Sequence, residues 1–345
     1  MGDKAIKLVN KNENLDNSEG LHYNLAKGGE NMLLKKREVS SKQLTLEMLE
    51  RRLPKSHPKF TFYQEMLNRT RAGYAGEQRV DREWQSIYLE QTHYLIHDVV
   101  LKDEGGSIHQ IDTLLMSQNF ILIVEIKNIV GRVEYMEDNH QFIRITSDDK
   151  VDGFRNPFDQ VKRYARMLRR LVQMSGQHIP IEYIVVSANP NMIMTSSLSA
   201  HPIIHVSGLA ERVEQLFKQH QQAYLSKEVL REFSVRILKM HKPAHWTLDM
   251  KVDKLKKGVL CSKCDYRFVM HYRQGKWRCE NCGGGDDQAF NNALKDYRHM
   301  YGEFISNSLF QDFFGISCAK TVYKILKSLQ LQEVGAKKDR KYIIK

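Results

Sequence analysis

The stretch that most constrains the fold lies at residues 105–128, where two apolar segments flank a short polar break at Gln118-Asn119. Residues 107–116 and 120–127 each have the length and composition of a β-strand, and the break has the residues of a tight turn. The sequence therefore predicts an antiparallel hairpin inside a largely apolar sheet.

This hairpin brings two carboxylates and a lysine together. Strand side chains alternate between faces, so Glu125 and Lys127 share one face and Ile126 takes the other. With the polar break as a two-residue turn, Asp112 falls directly opposite Glu125. Two carboxylates that face each other across neighbouring strands repel. A bound cation would relieve this repulsion, so the hairpin predicts a metal-dependent active site.

Length and charge indicate two or three domains and a polyanionic partner. The 345 residues include 53 Lys and Arg against 41 Asp and Glu, a net charge of +12. Such an excess favours a nucleic-acid partner, with general solubility as the alternative. No apolar run reaches the roughly 18 residues of a membrane span. No signal-peptide core is found, and four of the five cysteines form CxxC pairs, so a cytoplasmic location without a membrane partner is expected.

The order of patterns along the chain predicts six segments. The first is polar and without a period, as expected of a disordered tail, and Met32 just after it is an alternative start. The predicted segments are a tail at 1–31, a helical segment at 32–72, an α/β core at 73–240, a linker at 241–257, a zinc ribbon at 258–285, and a helical, winged-helix-like module at 286–345.

The core pattern predicts a mixed sheet flanked by helices. A long helix is expected at about 60–90, and Gly73 and Gly76 are expected either to interrupt it or to allow close packing. Strands are expected at 94–101 and in the hairpin, and a second hairpin is expected at 130–146. A helix beginning at Asn156-Pro157 then leads by a crossover to a buried strand at 181–187.

The helix that begins at Asn156 carries a second group of polar residues. Gln160 and Tyr164 are four apart and therefore share one face. Most of the remaining surface is basic, with Lys162 and four arginines between residues 163 and 170. A face exposed to solvent and a face turned toward phosphate are both consistent with this charge.

The cysteine spacing predicts a structural zinc site. Cys261 and Cys264 form one CxxC pair, and Cys279 and Cys282 form the other, with a predicted hairpin between them. Four thiolates on two tight turns suit tetrahedral Zn²⁺. The alternative, a pair of redox motifs, lacks the expected βαβ surroundings. Without zinc, the region 258–285 is expected to unfold locally.

The end of the chain predicts two helices, at 287–306 and 319–329, and then a basic hairpin at 335–345. A helix followed by a basic wing is typical of winged-helix DNA-binding domains. The alternative is that the basic end is only solvated.

Four short motifs in the core resemble a known family. They are Gly76-Glu77, Ile111-Asp112, Val124-Glu125-Ile126-Lys127-Asn128 and Asn156-Pro157-x-x-Gln160. In this order they resemble the nuclease-related domain of many bacterial proteins, which is assigned to the PD-(D/E)XK nuclease superfamily. The resemblance covers about residues 73–186. Ile111 stands where the superfamily motif has proline, and Gln160-x-x-x-Tyr164 resembles the QxxxY element of RecB-like members.

The resemblance implies a restriction-endonuclease-like fold and a ligand set for Mg²⁺ or Mn²⁺. Asp112 and Glu125 would hold the ion, and the carbonyl of Ile126 would be a third ligand. Oxygen ligands suit these ions independently of the resemblance. Whether one ion or two would act is left open.

The remaining motif residues would act around the metal. Lys127 would orient or deprotonate the attacking water, or offset charge on the phosphorane. Glu77 would complete the metal shell or hold a water. Gln160 would position the nucleophile or the phosphate, with Tyr164 in support.

The leading hypothesis is a Mg²⁺-dependent nuclease that hydrolyses DNA with a metal-activated water. The zinc ribbon and the C-terminal module would help to bind DNA. The alternative is a non-catalytic DNA-binding or regulatory protein on the same scaffold. Action on RNA stays open, as do the oligomeric state and the pathway, for which defence against foreign DNA and DNA repair are both compatible.

Overall fold

The computed structural model of the chain describes residues 31–194, 203–244, 246 and 254–344. The predicted tail lies outside these residues except for Asn31, which begins a strand. Much of the predicted linker at 241–257 also lies outside them.

The described residues form two compact units. One consists of the chain up to Arg37 together with Glu77–Lys242, and the other of Glu38–Gly76 together with the chain from Pro243. The N-terminal helical segment is thus grouped with the C-terminal part of the chain. The six predicted segment boundaries stay predictions.

The helices range from 8 to 27 residues. They are α1 (Ser41–Arg52), α2 (Phe60–Ser86), α3 (Pro157–Met174), α4 (Leu209–Gln219), α5 (Lys227–Met240), α6 (Asp287–Tyr301), α7 (Asn307–Phe314) and α8 (Ala319–Ser328).

The strands are short except at the centre of the first unit. They are β1 (Asn31–Lys35), β2 (His93–Lys102), β3 (Ile108–Ser117), β4 (Ile121–Lys127), β5 (Gly131–Met136), β6 (Gln141–Ile145), β7 (Val151–Phe154), β8 (Ile181–Ser187), β9 (Met192–Met194), β10 (Ile203–His205), β11 (Val259–Leu260), β12 (Val269–Arg273), β13 (Lys276–Cys279), β14 (Phe304–Ser306), β15 (Gln332–Val334) and β16 (Lys341–Ile343).

The first unit is built on a mixed sheet with the order β1-β2-β3-β4-β8-β10. Strands β2, β3 and β4 are antiparallel neighbours, whereas β8 runs parallel to β4 after the α3 crossover. The predicted mixed α/β core is confirmed. Strand β1, which pairs parallel with β2, was not predicted because its short segment has no apolar period.

Helices cover both faces of this sheet. On one face α3 and α5 pack on Ile121 and Ile123 of β4. On the other face the C-terminal half of α2 and helix α4 pack on Leu122 and Val124. This alternation places Glu125 and Lys127 on the face of the sheet that α3 covers.

The register of the central hairpin is the predicted one. Thr113 pairs with Val124, so the next residues outward, Asp112 and Glu125, lie opposite each other. The β2–β3 ladder is interrupted at the same level, where Asp98 has a left-handed φ of 51°. A residue with a side chain rarely adopts this conformation, and it often occurs at functional sites.

A smaller sheet lies beside the main one in the first unit, with the order β7-β6-β5-β9. Its core includes Val133 and Phe142, which pack with Phe158 of α3. Phe158 therefore anchors the start of α3, close in sequence to Gln160. Strand β7 was not predicted.

The second unit contains a ribbon and a winged-helix-like arrangement. The ribbon sheet has the order β11-β12-β13. Helices α6, α7 and α8 accompany a sheet with the order β14-β16-β15. Strands β15 and β16 form a hairpin that begins at Gln332, three residues before the hairpin predicted at 335–345. One hydrophobic core runs through the ribbon, these helices and α1, and its members include Leu49, Trp277, Tyr297, Phe313 and Phe314.

Two helix predictions were wrong. Helix α2 continues through Gly73 and Gly76 and ends at Ser86 rather than at 90. A glycine inside a helix costs about 1 kcal/mol, which the packing of a 27-residue helix can offset. Helix α6 ends at Tyr301 rather than at 306, because Gly302 takes a φ of 92°.

No helix in the described ranges is both long and apolar enough to cross a membrane.

Candidate active site

Asp112 is held at both its main chain and its side chain. Its carboxylate Oδ2 accepts a hydrogen bond of 2.7 Å from the backbone N–H of Ile126 on the neighbouring strand. Its main-chain carbonyl accepts one of 2.7 Å from Arg37 Nη2. Asp112 is therefore fixed between β4 and the segment after β1, and Oδ1 is the oxygen that remains for a ligand.

Glu125 and Lys127 form an ion pair on the same face of β4. Lys127 Nζ lies 2.6 Å from Glu125 Oε1, and the glutamate is only 2% exposed. Within the described part of the chain, the other oxygen of Glu125, Oε2, is buried and has no hydrogen-bond partner. An unpaired buried carboxylate oxygen is unfavourable unless a cation or a donor satisfies it.

Gln160 connects this pair to helix α3. Its Oε1 lies 3.5 Å from Lys127 Nζ, and its Nε2 donates a hydrogen bond of 2.6 Å to the hydroxyl of Tyr164. The Tyr164 ring meets His109 edge-on, with 5.7 Å between ring centroids. The structure thus brings Gln160 and Tyr164 to the carboxylate–lysine centre.

Glu77 reaches the site from α2 but is held by an arginine. Its Oε2 accepts a hydrogen bond of 3.0 Å from Arg37 Nη1. The same guanidinium binds both oxygens of Asp81, at 2.9 and 3.1 Å. Arg37 also donates to Thr113 Oγ1 at 3.3 Å, next to Asp112 on β3.

A further carboxylate and a lysine lie beside this group. Asp98 follows His97 on β2, and Lys35 Nζ donates to the main-chain carbonyls of both residues at 2.9 and 3.0 Å. The ring nitrogen Nδ1 of His97 lies 2.9 Å from Thr113 Oγ1. Burial lowers the pKa of His97 to about 4, so the ring is neutral at pH 7.

Burial and mutual repulsion raise the pKa values of the carboxylates. Burial, followed by the charge of Asp112, raises the pKa of Glu125 to about 8 and that of Glu77 to about 7. Burial likewise raises the pKa of Asp112. Burial lowers the pKa of Lys127, but Glu125 and Asp112 outweigh it, so the net pKa is raised and the lysine stays charged. Strongly shifted groups around a charged lysine are typical of a functional site.

The residues fit a divalent cation held by two carboxylates. The buried Oε2 of Glu125 and Oδ1 of Asp112 are oxygen donors of the kind that Mg²⁺ and Mn²⁺ prefer. Across the described residues, only a group of cysteines brings three or more ligand atoms of Cys, His, Asp or Glu within 4.8 Å of one another. Glu77, Asp112 and Glu125 therefore do not form such a group as they are placed here, and the predicted roles of Glu77 and of the Ile126 carbonyl stay predictions.

The cysteine group has the dimensions of a zinc site. The Sγ atoms of Cys261 and Cys282 are 3.7 Å apart, and those of Cys264 and Cys279 are 3.8 Å apart. Four sulfurs about 2.3 Å from a tetrahedral zinc lie about 3.8 Å from one another. The backbone N–H groups of Cys282 and Asn281 lower the pKa of Cys279 to about 7, although burial opposes this, whereas burial raises the pKa of Cys261. The four cysteines could hold a zinc ion.

Sequence reasoning missed Arg37, Asp81, Asp98, Lys35 and His97. Asp81 lies four residues after Glu77, so its shared helical face was readable from the sequence. Arg37 lies in a segment without periodicity, and only the fold brings it to the site. The break in β2 at Asp98 has no signal in the strand pattern.

Comparison of the chain with known proteins gives a match to a family model. Residues 72–188 match the family model of the nuclease-related domain. No curated protein and no solved structure matches the chain. The matched region contains Glu77, Asp112, Glu125, Lys127 and Gln160, whereas Arg37 and the four cysteines lie outside it. The mixed sheet with helices on both faces agrees with the restriction-endonuclease-like fold of that family. Residues 72–188 are therefore similar to nuclease-related domains, and they are accompanied by a C-terminal region whose four cysteines could form a zinc ribbon.

Proposed function

We propose that this protein is a Mg²⁺-dependent deoxyribonuclease that hydrolyses phosphodiester bonds. The observation that carries the proposal is the meeting of Asp112, Glu125 and Lys127 on adjacent strands, with one buried oxygen of Glu125 unpaired among the described residues. A binding protein has no need for a repelling carboxylate pair beside a half-buried lysine. The matched nuclease-related domain supports the same reading.

The charges around the site favour one bound ion rather than two. The carboxylates that influence one another here are Glu77, Asp81, Asp98, Asp112 and Glu125. The cations bonded to them or to their main chains are Lys35, Arg37 and Lys127. Because His97 is neutral, ionisation of all five carboxylates would leave two negative charges, which one Mg²⁺ would balance. The ion would displace the protons that burial and repulsion favour on Glu125 and Glu77.

Lys127 and Gln160 are suited to position a water and a phosphate. A bound divalent ion would activate water and offset negative charge on the phosphate in the transition state. The half-buried Lys127 ammonium lies between Glu125 and Gln160, so solvent screens its charge only in part. The Gln160 amide, fixed by Tyr164, holds that ammonium in one place. The side chains are thus ordered before substrate binds.

The phosphate backbone would approach along helix α3. Asn156 caps the helix, with its side chain accepting from the N–H of Phe158, and Gln160 lies in the first turn. The positive end of the helix dipole therefore lies near Gln160 and favours an anion. Arg166, Arg169 and Arg170 are exposed further along the helix. Positive charge is therefore also present on α3 beyond its first turn.

The C-terminal unit would add affinity for duplex DNA. Its winged-helix-like arrangement has exposed lysines on α8 and a basic wing. We assign a structural zinc ion to the four cysteines, because closed sets of four thiolates leave no position for substrate. A cytoplasmic, reducing location would keep these thiols available.

A second candidate is a DNA-binding protein that does not cleave. The ion pair between Lys127 and Glu125 favours it, because the ammonium at 2.6 Å already satisfies one carboxylate oxygen. On this view the lysine takes the place of the metal, and the domain binds DNA through its basic surfaces alone.

Cleavage assays distinguish the two candidates. Purified protein is incubated with supercoiled plasmid, linear duplex and single-stranded RNA, with Mg²⁺, Mn²⁺ or EDTA. The nuclease proposal expects metal-dependent cleavage of DNA that is lost in Asp112→Ala. Binding without cleavage, or cleavage that Asp112→Ala retains, would contradict it. Glu182→Gln is a matched control, since Glu182 is a carboxylate of β8 bonded to His220 rather than to the site.

A further inference from the structure

Arg37 is an almost fully buried arginine at the centre of the acidic side chains. Its side chain is 3% exposed. The guanidinium donates to Glu77 and Asp81 of α2 and to the main chain of Asp112 on β3. It lies at residue 37, well before the matched residues 72–188.

The bonds of Arg37 join two elements that carry site carboxylates. Nη1 binds Glu77 Oε2 at 3.0 Å, while Nη2 binds the carbonyl of Asp112 at 2.7 Å. One rigid, planar group therefore sets the spacing between the glutamate on the helix and the aspartate on the strand. A lysine has a single nitrogen and cannot hold both partners in this fixed geometry.

The same bonds also fix the direction of the Asp112 side chain. Arg37 holds the carbonyl of Asp112 from one side, and the N–H of Ile126 holds Oδ2 from the other. Loss of the arginine would free the β3 main chain at the residue where the ladder to β2 is already interrupted. The carboxylate would then lose its fixed direction, even though it is retained.

Asp81 supports the arginine without being needed at the reacting centre. Its two oxygens bind Nε and Nη2 of Arg37 at 2.9 and 3.1 Å, so it fixes the plane of the guanidinium. Asp81 is four residues from Glu77 on α2, and the pair encloses Arg37 from the helix side. The arrangement orients the arginine toward β3.

We propose that Arg37 is a positioning residue of the nuclease site, which fixes Glu77 and Asp112 relative to each other and is supplied by the segment before the matched domain. This inference rests on the proposed function. It predicts that Arg37 acts through the geometry of the metal ligands, not by contact with DNA.

The test compares Arg37→Lys, Arg37→Met and Asp81→Asn with the unchanged protein. Mn²⁺ binding is measured from the electron paramagnetic resonance signal of the free ion, and DNA cleavage is measured as separate kcat and KM values. We expect Mn²⁺ affinity and kcat to fall about tenfold or more in both Arg37 variants, with KM for DNA nearly unchanged. Asp81→Asn should show a smaller loss of the same kind.

Arg52→Lys is the control for lost stability. Arg52 is also buried and paired with an aspartate, Asp296, but it belongs to the other unit. Circular dichroism and thermal melting verify that each variant is folded. If the Arg37 variants unfold, Asp81→Asn still tests the role of Arg37.

The outcomes separate this inference from the proposed function. Folded Arg37 variants with unchanged Mn²⁺ affinity and kcat would overturn the role of Arg37 while leaving the nuclease intact. A loss confined to KM would also overturn it, because that result indicates a DNA contact. Absence of metal-dependent cleavage in the unchanged protein would overturn the proposed function, and the inference about Arg37 with it.

Discussion

The carboxylate of Asp112 accepts a hydrogen bond from the backbone N–H of Ile126, 2.7 Å away on the adjacent strand. This bond takes the place of a regular ladder bond between β3 and β4 at the end of their pairing. The carboxylate of Asp112 thus has two functions that can be separated. It accepts the hydrogen bond that joins the two strands, and it carries a negative charge.

Substitutions at residue 112 separate these properties. Asp112→Asn keeps an acceptor for the N–H of Ile126 but removes the charge, whereas Asp112→Ala removes both. We expect both variants to lose at least about a hundredfold in metal-dependent kcat. The asparagine variant should melt at the temperature of the unchanged protein or higher, because a buried charge is removed. Full activity in Asp112→Asn would contradict a role in metal binding.

The raised pKa values predict how the metal-free protein responds to pH. Burial raises the pKa of Glu125 to about 8 and that of Glu77 to about 7, above the ordinary value of 4.5. An acid whose pKa is higher in the folded than in the unfolded state stabilises the fold at low pH. This contribution is complete below the unfolded pKa and is lost as pH rises through the folded pKa. Between about pH 4 and pH 6.5 the neutral His97 opposes this trend, because its pKa is lowered to about 4 in the folded state. Metal-free protein should therefore become less stable between about pH 6.5 and about pH 8.5, and added Mg²⁺ should reverse part of this loss.

Glu125→Gln tests the assignment of that pH dependence. The amide does not ionise, so the variant should lose the part of this pH dependence that lies above about pH 7, where Glu77 is already largely ionised. It should be about 1–3 kcal/mol more stable than the metal-free parent near pH 8.5. Thermal melts in EDTA and in Mg²⁺ at several pH values measure this. Glu182→Gln is the control and should keep the parent's slope, whereas an equal slope in Glu125→Gln would refute the assignment.

Alternation along the central hairpin was sufficient to predict its register. Asp112 faces Glu125, and Glu125 shares a face with Lys127, because strand side chains repeat every two residues and the turn has a clear polar signal. The same holds for Gln160 and Tyr164, which a helical spacing of four brings into a hydrogen bond.

Contacts between distant segments were not predictable in the same way. Arg37 reaches Asp112 across 75 positions of sequence, and nothing in its local pattern indicates that partner. The left-handed conformation of Asp98 is also set by its surroundings rather than by its neighbours in sequence. Periodicity predicts which face a residue takes, but a buried ion-pair network depends on which elements the fold brings together.

Lys127 should affect turnover more than metal binding. Its ammonium contacts Glu125 Oε1 and Gln160 Oε1, while the unpaired oxygen of Glu125 is Oε2. Lys127→Met therefore leaves the carboxylate donors in place, and we expect Mn²⁺ binding within about threefold of the parent with kcat reduced about a hundredfold or more. Lys150→Met, at an exposed lysine, is the control. Comparable losses of Mn²⁺ affinity and kcat would indicate that Lys127 organises the ligands instead.

Zinc should stabilise a larger part of the chain than the ribbon at 258–285 that the sequence predicts. Trp277 of the ribbon stacks on Phe290 of α6 at 5.6 Å, and the ribbon cysteines belong to the same hydrophobic core as α1, α6 and α7. We expect one zinc per chain by elemental analysis. Cys279→Ser should destabilise the whole C-terminal unit, not residues 258–285 alone, by several kcal/mol. Cys318→Ser is the control, because Cys318 is exposed and lies outside the cluster.

Hydrogen exchange measures the extent of the zinc effect. Loss of protection in α6 and α8 as well as in the ribbon of Cys279→Ser would support the shared core. Loss limited to the ribbon would support the smaller unit that the sequence predicts. Protein that contains no zinc after careful purification, with the fold unchanged by Cys279→Ser, would contradict the assignment of zinc.

Helix α8 should contribute DNA affinity through its exposed lysines. Lys320 and Lys324 are both exposed and, being four residues apart, lie on one face of the helix beside Tyr323, which is 44% exposed. Each phosphate contact that a lysine makes adds about 0.9 to the slope of log K against log salt. Replacing both lysines with alanine should therefore weaken binding to duplex DNA and reduce that slope by about 2. Fluorescence anisotropy over a range of salt concentrations measures both quantities.

A matched charge change elsewhere distinguishes contact from general attraction. Lys218 and Lys239 are also exposed, on α4 and α5 of the other unit, and replacing both with alanine changes the net charge equally. If α8 contacts DNA, this control should leave the salt slope almost unchanged, since it removes no phosphate contact. Equal effects of the two double variants would mean that the basic charge acts only as a long-range field. Because all four lysines are exposed and none is bonded to Asp112 or Glu125 in the described structure, kcat on saturating DNA should be unaffected in either case.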